Sequence, residues 1–245
     1  MARPIPVEAP VTSAEGIPRN LIEVVPEIGK DDAERKQVTV LFADVKGSMD
    51  LAEQHDPEEW RKIMQRFFSI LTDAVERFEG TVDKFTGDGI MAVFGAPIEQ
   101  EDHGERAFTA ASEMLDVRLP RWNDWLEEND ISEAFEMGIG LNSGPFMSGN
   151  IGSAERLAYT AIGDTINTCS RIESLTKETP YMLHVAESTY VLLEPEQQAK
   201  LAYIDEVSIR GRTTKLKLWG MGLSPVPAVP ATSLKAERDE DAVLG

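Results

Sequence analysis

The chain has 245 residues, 42% of them hydrophobic, and 24 Lys plus Arg against 43 Asp plus Glu give a formal net charge of −19. That length supplies one domain with a real core, or two small ones, and the negative charge disfavours general nucleic-acid or membrane-surface binding while leaving room for a single nucleotide at a cation-assisted site. A lone cysteine, Cys169, rules out an intrachain disulfide and fits a cytoplasmic setting; no apolar run reaches the roughly 18 residues of a membrane span, and Met1 to Pro10 lacks the apolar stretch of a signal peptide.

Residues 1–34 hold Pro4, Pro6, Pro10, Pro18 and Pro26 among scattered charges, a density that predicts a disordered arm. Residues 35–222 carry the periodic signals of one folded domain, and 223–245, with Pro225, Pro227 and Pro230, read as a disordered tail. Gln37–Asp44 is an apolar strand ending in a carboxylate. Asp56-Pro57-Glu58-Glu59 opens a helix with acids at its positive end. Its apolar positions recur at the helical period from Trp60 to Phe78, and Gly80 stops it. Two strands, Thr81–Thr86 and Ile90–Phe94, flank Gly87-Asp88-Gly89, which has the chemistry of a tight hairpin turn. A second helix runs from about Glu101 to Leu126, broken near Pro120. Phe135–Asn142 and Pro145–Ile151 read as a strand pair turning at Ser143-Gly144. Asp164–Leu175 is a short helix, Tyr181–Val185 a strand and Glu187–Leu193 a helix, with closing strands at Ala202–Ile209 and Lys215–Met221. The order β-α-β-β-α-β with extra C-terminal strands predicts an α+β sandwich: a ferredoxin-like core whose antiparallel or mixed sheet carries helices on one face.

Asp44 and Asp88 are the chemical candidates. If their strands are neighbours, the two carboxylates meet at one edge and repel unless one is protonated or a cation lies between them. Hard divalent ions such as Mg²⁺ take this oxygen ligation and bring substrate phosphates with them; turn and strand-end capping is the other use of the same residues. Gly47-Ser48 precedes a predicted helix, where glycine lets the backbone approach a ligand and free amides attract phosphate, or where serine serves as a plain cap. Asn167 and Arg171 share a helix face, a pairing suited to a ribose and a phosphate or to a solvated surface. Lys84 and Thr160 are solvated side chains by default, and Arg210-Gly-Arg212 is a basic pair in an acidic chain. His55, His103, His184 and Cys169 lack metal-ligand spacing. Neither a Gly-x-x-x-x-Gly-Lys-Ser/Thr phosphate loop nor a Gly-x-Ser-x-Gly nucleophile elbow is present.

Taken in order, Phe42-Ala-Asp-Val-Lys-Gly-Ser48, Lys84-Phe-Thr-Gly-Asp88, Thr160-Ala-Ile-Gly-Asp164 and Asn167-Thr-Cys-Ser-Arg171 resemble the class III nucleotide cyclase catalytic domain over about Arg35–Met221. Ile209-Arg-Gly-Arg212 matches where that family often has Lys-Gly-Lys. The resemblance implies a signalling lyase that converts ATP to 3′,5′-cyclic AMP and pyrophosphate. Asp44 and Asp88 would bind two divalent cations, Mg²⁺ or Mn²⁺, assisted by the Val45 carbonyl, with Gly47 and Ser48 beside the phosphates. Lys84 and Thr160 would read the base, Asn167 orient the ribose, Arg171 stabilise charge at the α-phosphate and Arg212 hold the terminal phosphates. It also implies a head-to-tail homodimer in which each site joins the aspartates of one chain to Asn167 and Arg171 of the other.

Adenine accepts at N1 and donates at N6, so Lys84 can donate to the first and Thr160 accept from the second. Guanylate-making relatives typically place Glu at the Lys84 position, which makes ATP the expected substrate and GTP the alternative. A catalytically silent dimerising module would have lost a metal aspartate or the Asn/Arg pair, and neither is lost. The Gly-Gly-Asp/Glu-Glu-Phe stretch of diguanylate cyclases is absent. Thr160, where many members have Asp, resembles a subgroup that includes bicarbonate-responsive cyclases, and Met49 stands where Thr is usual.

Overall fold

A computed structural model of the chain describes residues 34–131, 134–153, 156–162, 164–208 and 215–222. The expected N-terminal arm and C-terminal tail, and Arg212, lie outside these residues. The first strand, β1 (Glu34–Lys46), alternates cleanly: Leu41, Ala43 and Val45 enter one apolar cluster, whereas Val38 and Val40 enter another on the opposite face. A short helix α1 (Ser48–Gln54) leads to α2 (Pro57–Arg77). Asp56 caps α2 by accepting from the Glu58 amide at 2.9 Å, and Pro57 fills the first turn where no N–H is needed. The left-handed residue after α2 is Glu79, at φ 58°, rather than Gly80. Gly80 is small for a different reason: a Cβ there would come within 2.5 Å of the Phe94 ring.

Strands β2 (Thr81–Thr86) and β3 (Gly89–Phe94) form the expected hairpin, closed by Gly87 and Asp88 with Gly87 at φ 66°. The next helix does not break at Pro120. It runs through α3 (His103–Glu113), a wider π-turn (Met114–Arg118) and α4 (Leu119–Glu128), so that Pro120 sits in a first turn, where its missing N–H is tolerated.

The expected turn at Ser143-Gly144 is absent. Strand β4 (Glu136–Ser153) passes straight through it for 18 residues, paired with β1 from Lys46↔Glu136 to Glu34↔Ser148. Gly144 is there for packing, since a Cβ would meet Thr165 Oγ1 at 2.8 Å. The chain reverses later into β5 (Arg156–Ile162), a strand the sequence pattern does not announce. Then come α5 (Asp164–Ser174), a 3₁₀ turn (Leu175–Glu178), β6 (Leu183–Ala186), the single turns α6 (Glu187–Tyr190) and α7 (Pro195–Gln198), and β7 (Ala202–Val207) with β8 (Leu216–Met221).

Among the described residues the strands form one mixed sheet in the order β2-β3-β1-β4-β6-β8-β7, with β5 on β4; all pairs are antiparallel except β4–β6. Its first four members have the ferredoxin-like arrangement, with further strands added beyond β4. Helices α2, α3 and α4, with the π-turn between the last two, cover one face and bury Phe67, Leu71, Phe108, Met114 and Trp122 against Leu41, Ile139 and Leu141. The expectation of helices on a single face is corrected by α5, which lies on the other. Cys169 of α5 places its thiol 3.1 and 3.2 Å from the carbonyls of Val40 and Gly140. Among the described residues no helix is long and apolar enough to cross a membrane.

Candidate active site

Helix α5 can approach the sheet this closely because the β4 residues beneath it are small. Gly138 and Gly140 alternate with core-facing Met137, Ile139 and Leu141, and a Cβ on Gly140 would meet the Glu173 amide at 2.6 Å and the Cys169 carbonyl at 2.9 Å. Gly138 pairs with Asp44 and Gly140 with Phe42, so the end of the α5 segment is set directly over the carboxylate end of β1.

Asp44 also pairs across the sheet with Gly89, the residue after the hairpin tip. A Cβ on Gly89 would lie 2.8 Å from Asp44 Oδ1; glycine therefore leaves room for the carboxylate beside Asp88. Burial, and next the Asp88 carboxylate, push the Asp44 carboxyl up to about 6, with Lys177 pulling the other way. The Ser48 hydroxyl donates to Asp88 Oδ2, and the Lys177 ammonium donates to Asp44 Oδ2 at 3.2 Å. Gly47 precedes Ser48 in the left-handed region, at φ 71°, and α1 has no side-chain cap. Ser48 thus serves Asp88 rather than the helix start.

Two crowded carboxylates, one of them disfavoured as a lone anion, have the chemistry that would suit a hard divalent cation. The Val45 side chain is buried in the core, so this residue can offer only its backbone. Among the described residues no three His, Cys, Asp or Glu side chains come together as a ligand set. A pair of carboxylates is a donor set that would leave coordination positions for water and substrate oxygens.

Lys84 reaches the same face through an irregularity. Val82 pairs with Ala92, but Lys84 pairs with Met91, so Asp83 is an extra residue that shifts the alternation by one. Met91 clusters with Val40 and Phe42 on the α5 side, whereas Ala92 belongs to the opposite core. The bulge therefore moves Lys84 to the face of Asp44, exposed and 3.2 Å from Asp83 Oδ2. Asn167 and Arg171 lie on the exposed side of α5, while Thr165, Thr168, Cys169, Ile172 and Glu173 are buried. Thr160 is placed on β5 opposite Gly149.

Two residues of the site escape sequence reasoning. Glu173, buried two positions past Arg171, is pushed up to about 7, by burial first and then by the Asp44 charge. Its Oε1 and the Oγ1 of Thr176 are buried with no hydrogen-bond partner among the described residues, and both face Gly138. Lys177 follows on the same turn. An acid and a lysine on a helical segment are ordinary surface residues by pattern; only the glycine stripe under the helix carried a signal that this segment is pressed against the sheet.

Residues 31–221 match the adenylate and guanylate cyclase catalytic domain. The chain belongs to that family. The cyclase domain is 29% identical over 215 residues to Adenylate cyclase 1 of Rhizobium meliloti, covering 86% of this chain and 32% of that one. It is 32% identical over 192 residues to an uncharacterized protein of Mycobacterium tuberculosis H37Rv, covering 78% of this chain and 34% of the other; the chain spans about a third of the length of these curated relatives. Among solved structures, the guanylyl cyclase Cya2 superposes with a TM-score of 0.69 at 30% identity, over 79% of this chain and 95% of that one. The adenylyl cyclase CyaB from P. aeruginosa gives a TM-score of 0.69 at 23% identity, over 81% of this chain and all 100% of that one, a likeness of fold.

Proposed function

We propose that this cyclase domain is an adenylate cyclase, forming 3′,5′-cyclic AMP and pyrophosphate from ATP in a homodimer. The observation that carries the reading is the bulge at Asp83, which sets Lys84 on the face of Asp44 and Asp88. An ammonium can donate to adenine N1, whereas guanine presents an N1–H there and repels a donor. Thr160 would accept from N6.

Asp44 and Asp88 would hold two divalent cations with the Val45 carbonyl beside them; bound there, the cations neutralise the triphosphate and acidify the ribose 3′-hydroxyl. The 3′-oxygen attacks the α-phosphorus, the bond to the β-phosphate bridge breaks, the hydroxyl proton leaves to solvent and pyrophosphate departs. Ser48 keeps the Asp88 carboxylate oriented, and the left-handed Gly47 lets the backbone come close to phosphate oxygens. Asn167 would orient the ribose, and Arg171 would stabilise the charge that develops at the α-phosphate, an electrostatic effect of about 3 kcal/mol for one well-placed donor. Arg212 would hold the terminal phosphates. Asn167 and Arg171 are exposed, which suits their delivery from a second chain arranged head to tail.

The likeness to the guanylyl cyclase Cya2 favours GTP as a second reading. Offering ATP and GTP separately, with Mn²⁺, to the wild type and to Lys84→Glu decides between them. The wild type should prefer ATP. The variant should lose at least about tenfold in ATP turnover and gain part of it with GTP, because a carboxylate facing the adenine N1 lone pair is left unpaired. An unchanged ATP-to-GTP ratio removes Lys84 from the base. The shared site is tested by mixing inactive Asp44→Ala with inactive Arg171→Ala. Random pairing regenerates about a quarter of the sites, so activity should return; a dead mixture that contains heterodimers overturns the arrangement.

A further inference from the structure

Lys177 stands where a cation ligand should be open. Its ammonium donates to Asp44 Oδ2 at 3.2 Å, and Glu173 and Asp88 also lie close enough to act on its charge. The backbone that carries it is fixed. Lys46, two residues past Asp44 on β1, donates to the Thr176 carbonyl at 3.2 Å, which ties the 3₁₀ turn to the strand that bears the carboxylate. The side chain itself is half in water, 51% exposed against 21% for Asp44. The result is a positive charge on a short leash, anchored at its base and half in water at its tip.

An ammonium and a divalent cation cannot share one carboxylate without strong repulsion, since like charges about 4 Å apart interact unfavourably even with substantial screening. Yet a half-exposed ion pair contributes little, so Lys177 can give way. Resting on the reading of Asp44 and Asp88 as cation ligands, we propose that Lys177 is a tethered counter-ion of the cation site: it compensates Asp44 while no cation is bound, swings into water when one arrives, and thereby weakens cation binding. It is a positioning residue for charge, without contact to the reacting atoms.

The test is Mn²⁺ binding to the full chain without nucleotide, read from the free-ion signal in electron paramagnetic resonance, which covers weak dissociation constants. Lys177→Met keeps the length of the side chain and removes its charge, and it should tighten the Mn²⁺ dissociation constant about fivefold. Lys177→Arg keeps the charge and should not tighten it. A side chain that served only for packing would leave the constant unmoved in Lys177→Met. Asp44→Asn separates the two readings. If it abolishes binding while Lys177→Met leaves the constant unchanged or weaker, the counter-ion is wrong and the cation site stands. If Asp44→Asn binds Mn²⁺ like the wild type, the cation site itself falls, and the counter-ion with it.

Discussion

The two faces of the central strands differ most at the end that carries Asp44. On the side of α2, α3 and α4, Leu41, Ala43 and Val45 meet a continuous apolar cluster in which Phe67 lies 5.4 Å from Trp122 and 5.1 Å from Phe135, ring centre to ring centre. On the side of α5, the same strands present Asp44 and the glycines of β4, and the helix that covers them brings a buried carboxylate and a thiol. Large side chains on the first face interlock and exclude water. Absent side chains on the second let backbone, carboxylates and cationic groups approach one another. The larger apolar cluster lies on one side of β1, whereas the other side joins a smaller one, around Val38 and Val40, to the candidate carboxylate Asp44 at the end of the strand.

The face under α2, α3 and α4 depends most on Phe67. Phe67→Ala removes a fully buried ring and should lower the unfolding free energy by about 4 kcal/mol in urea titration. A loss below about 1 kcal/mol would mean that this face does not hold the domain together. Stability on the α5 face should instead depend on pH. His184 is buried there; its Nδ1–H donates to the Ile172 carbonyl at 3.3 Å and its Nε2 accepts from Thr179 at 2.8 Å. Burial foremost, with the Lys46 charge adding and the Ile172 bond opposing, holds it at about 4 against an ordinary 6.5. The unfolded chain therefore takes up a proton between about 6.5 and 4 that the folded chain refuses, and stability falls as the pH drops through that window. Asp44 and Glu173, raised above their ordinary values, act in the opposite sense over an overlapping range. The difference between wild type and His184→Gln isolates the imidazole: it should shrink by about 2 kcal/mol from pH 7 to pH 5. A difference independent of pH would show that His184 is free to protonate in the fold.

The apolar face was the legible one. The helical period of Trp60 to Phe78 and the alternation of β1 follow from burying hydrophobic area, and the two-residue turn at Gly87-Asp88 follows from turn chemistry. The two aspartates were visible because charge at the end of an apolar strand and at a glycine-flanked tip needs a reason. The α5 face was harder, because its signals have two meanings. Ser143-Gly144 reads as a turn, yet the glycine there serves helix packing within an unbroken strand. The bulge at Asp83 leaves no mark in composition, although it decides which face Lys84 joins. Glu173 and Lys177 look like solvated helix residues until the register of β1 against β4 sets their turn over Asp44.

On the proposed reading, the glycine-lined face performs cation-assisted nucleotide chemistry through Asp44. The purified chain is incubated with ATP and Mn²⁺ and the products are identified by chromatography, beside Asp44→Asn whose folding is followed by denaturation. The wild type should release cyclic AMP and pyrophosphate in equal amounts. Asp44→Asn should fall at least about a hundredfold with unchanged or higher stability, since removing one of two crowded carboxylates relieves their repulsion. Cyclic AMP formed at near wild-type rate by a folded Asp44→Asn would contradict the account.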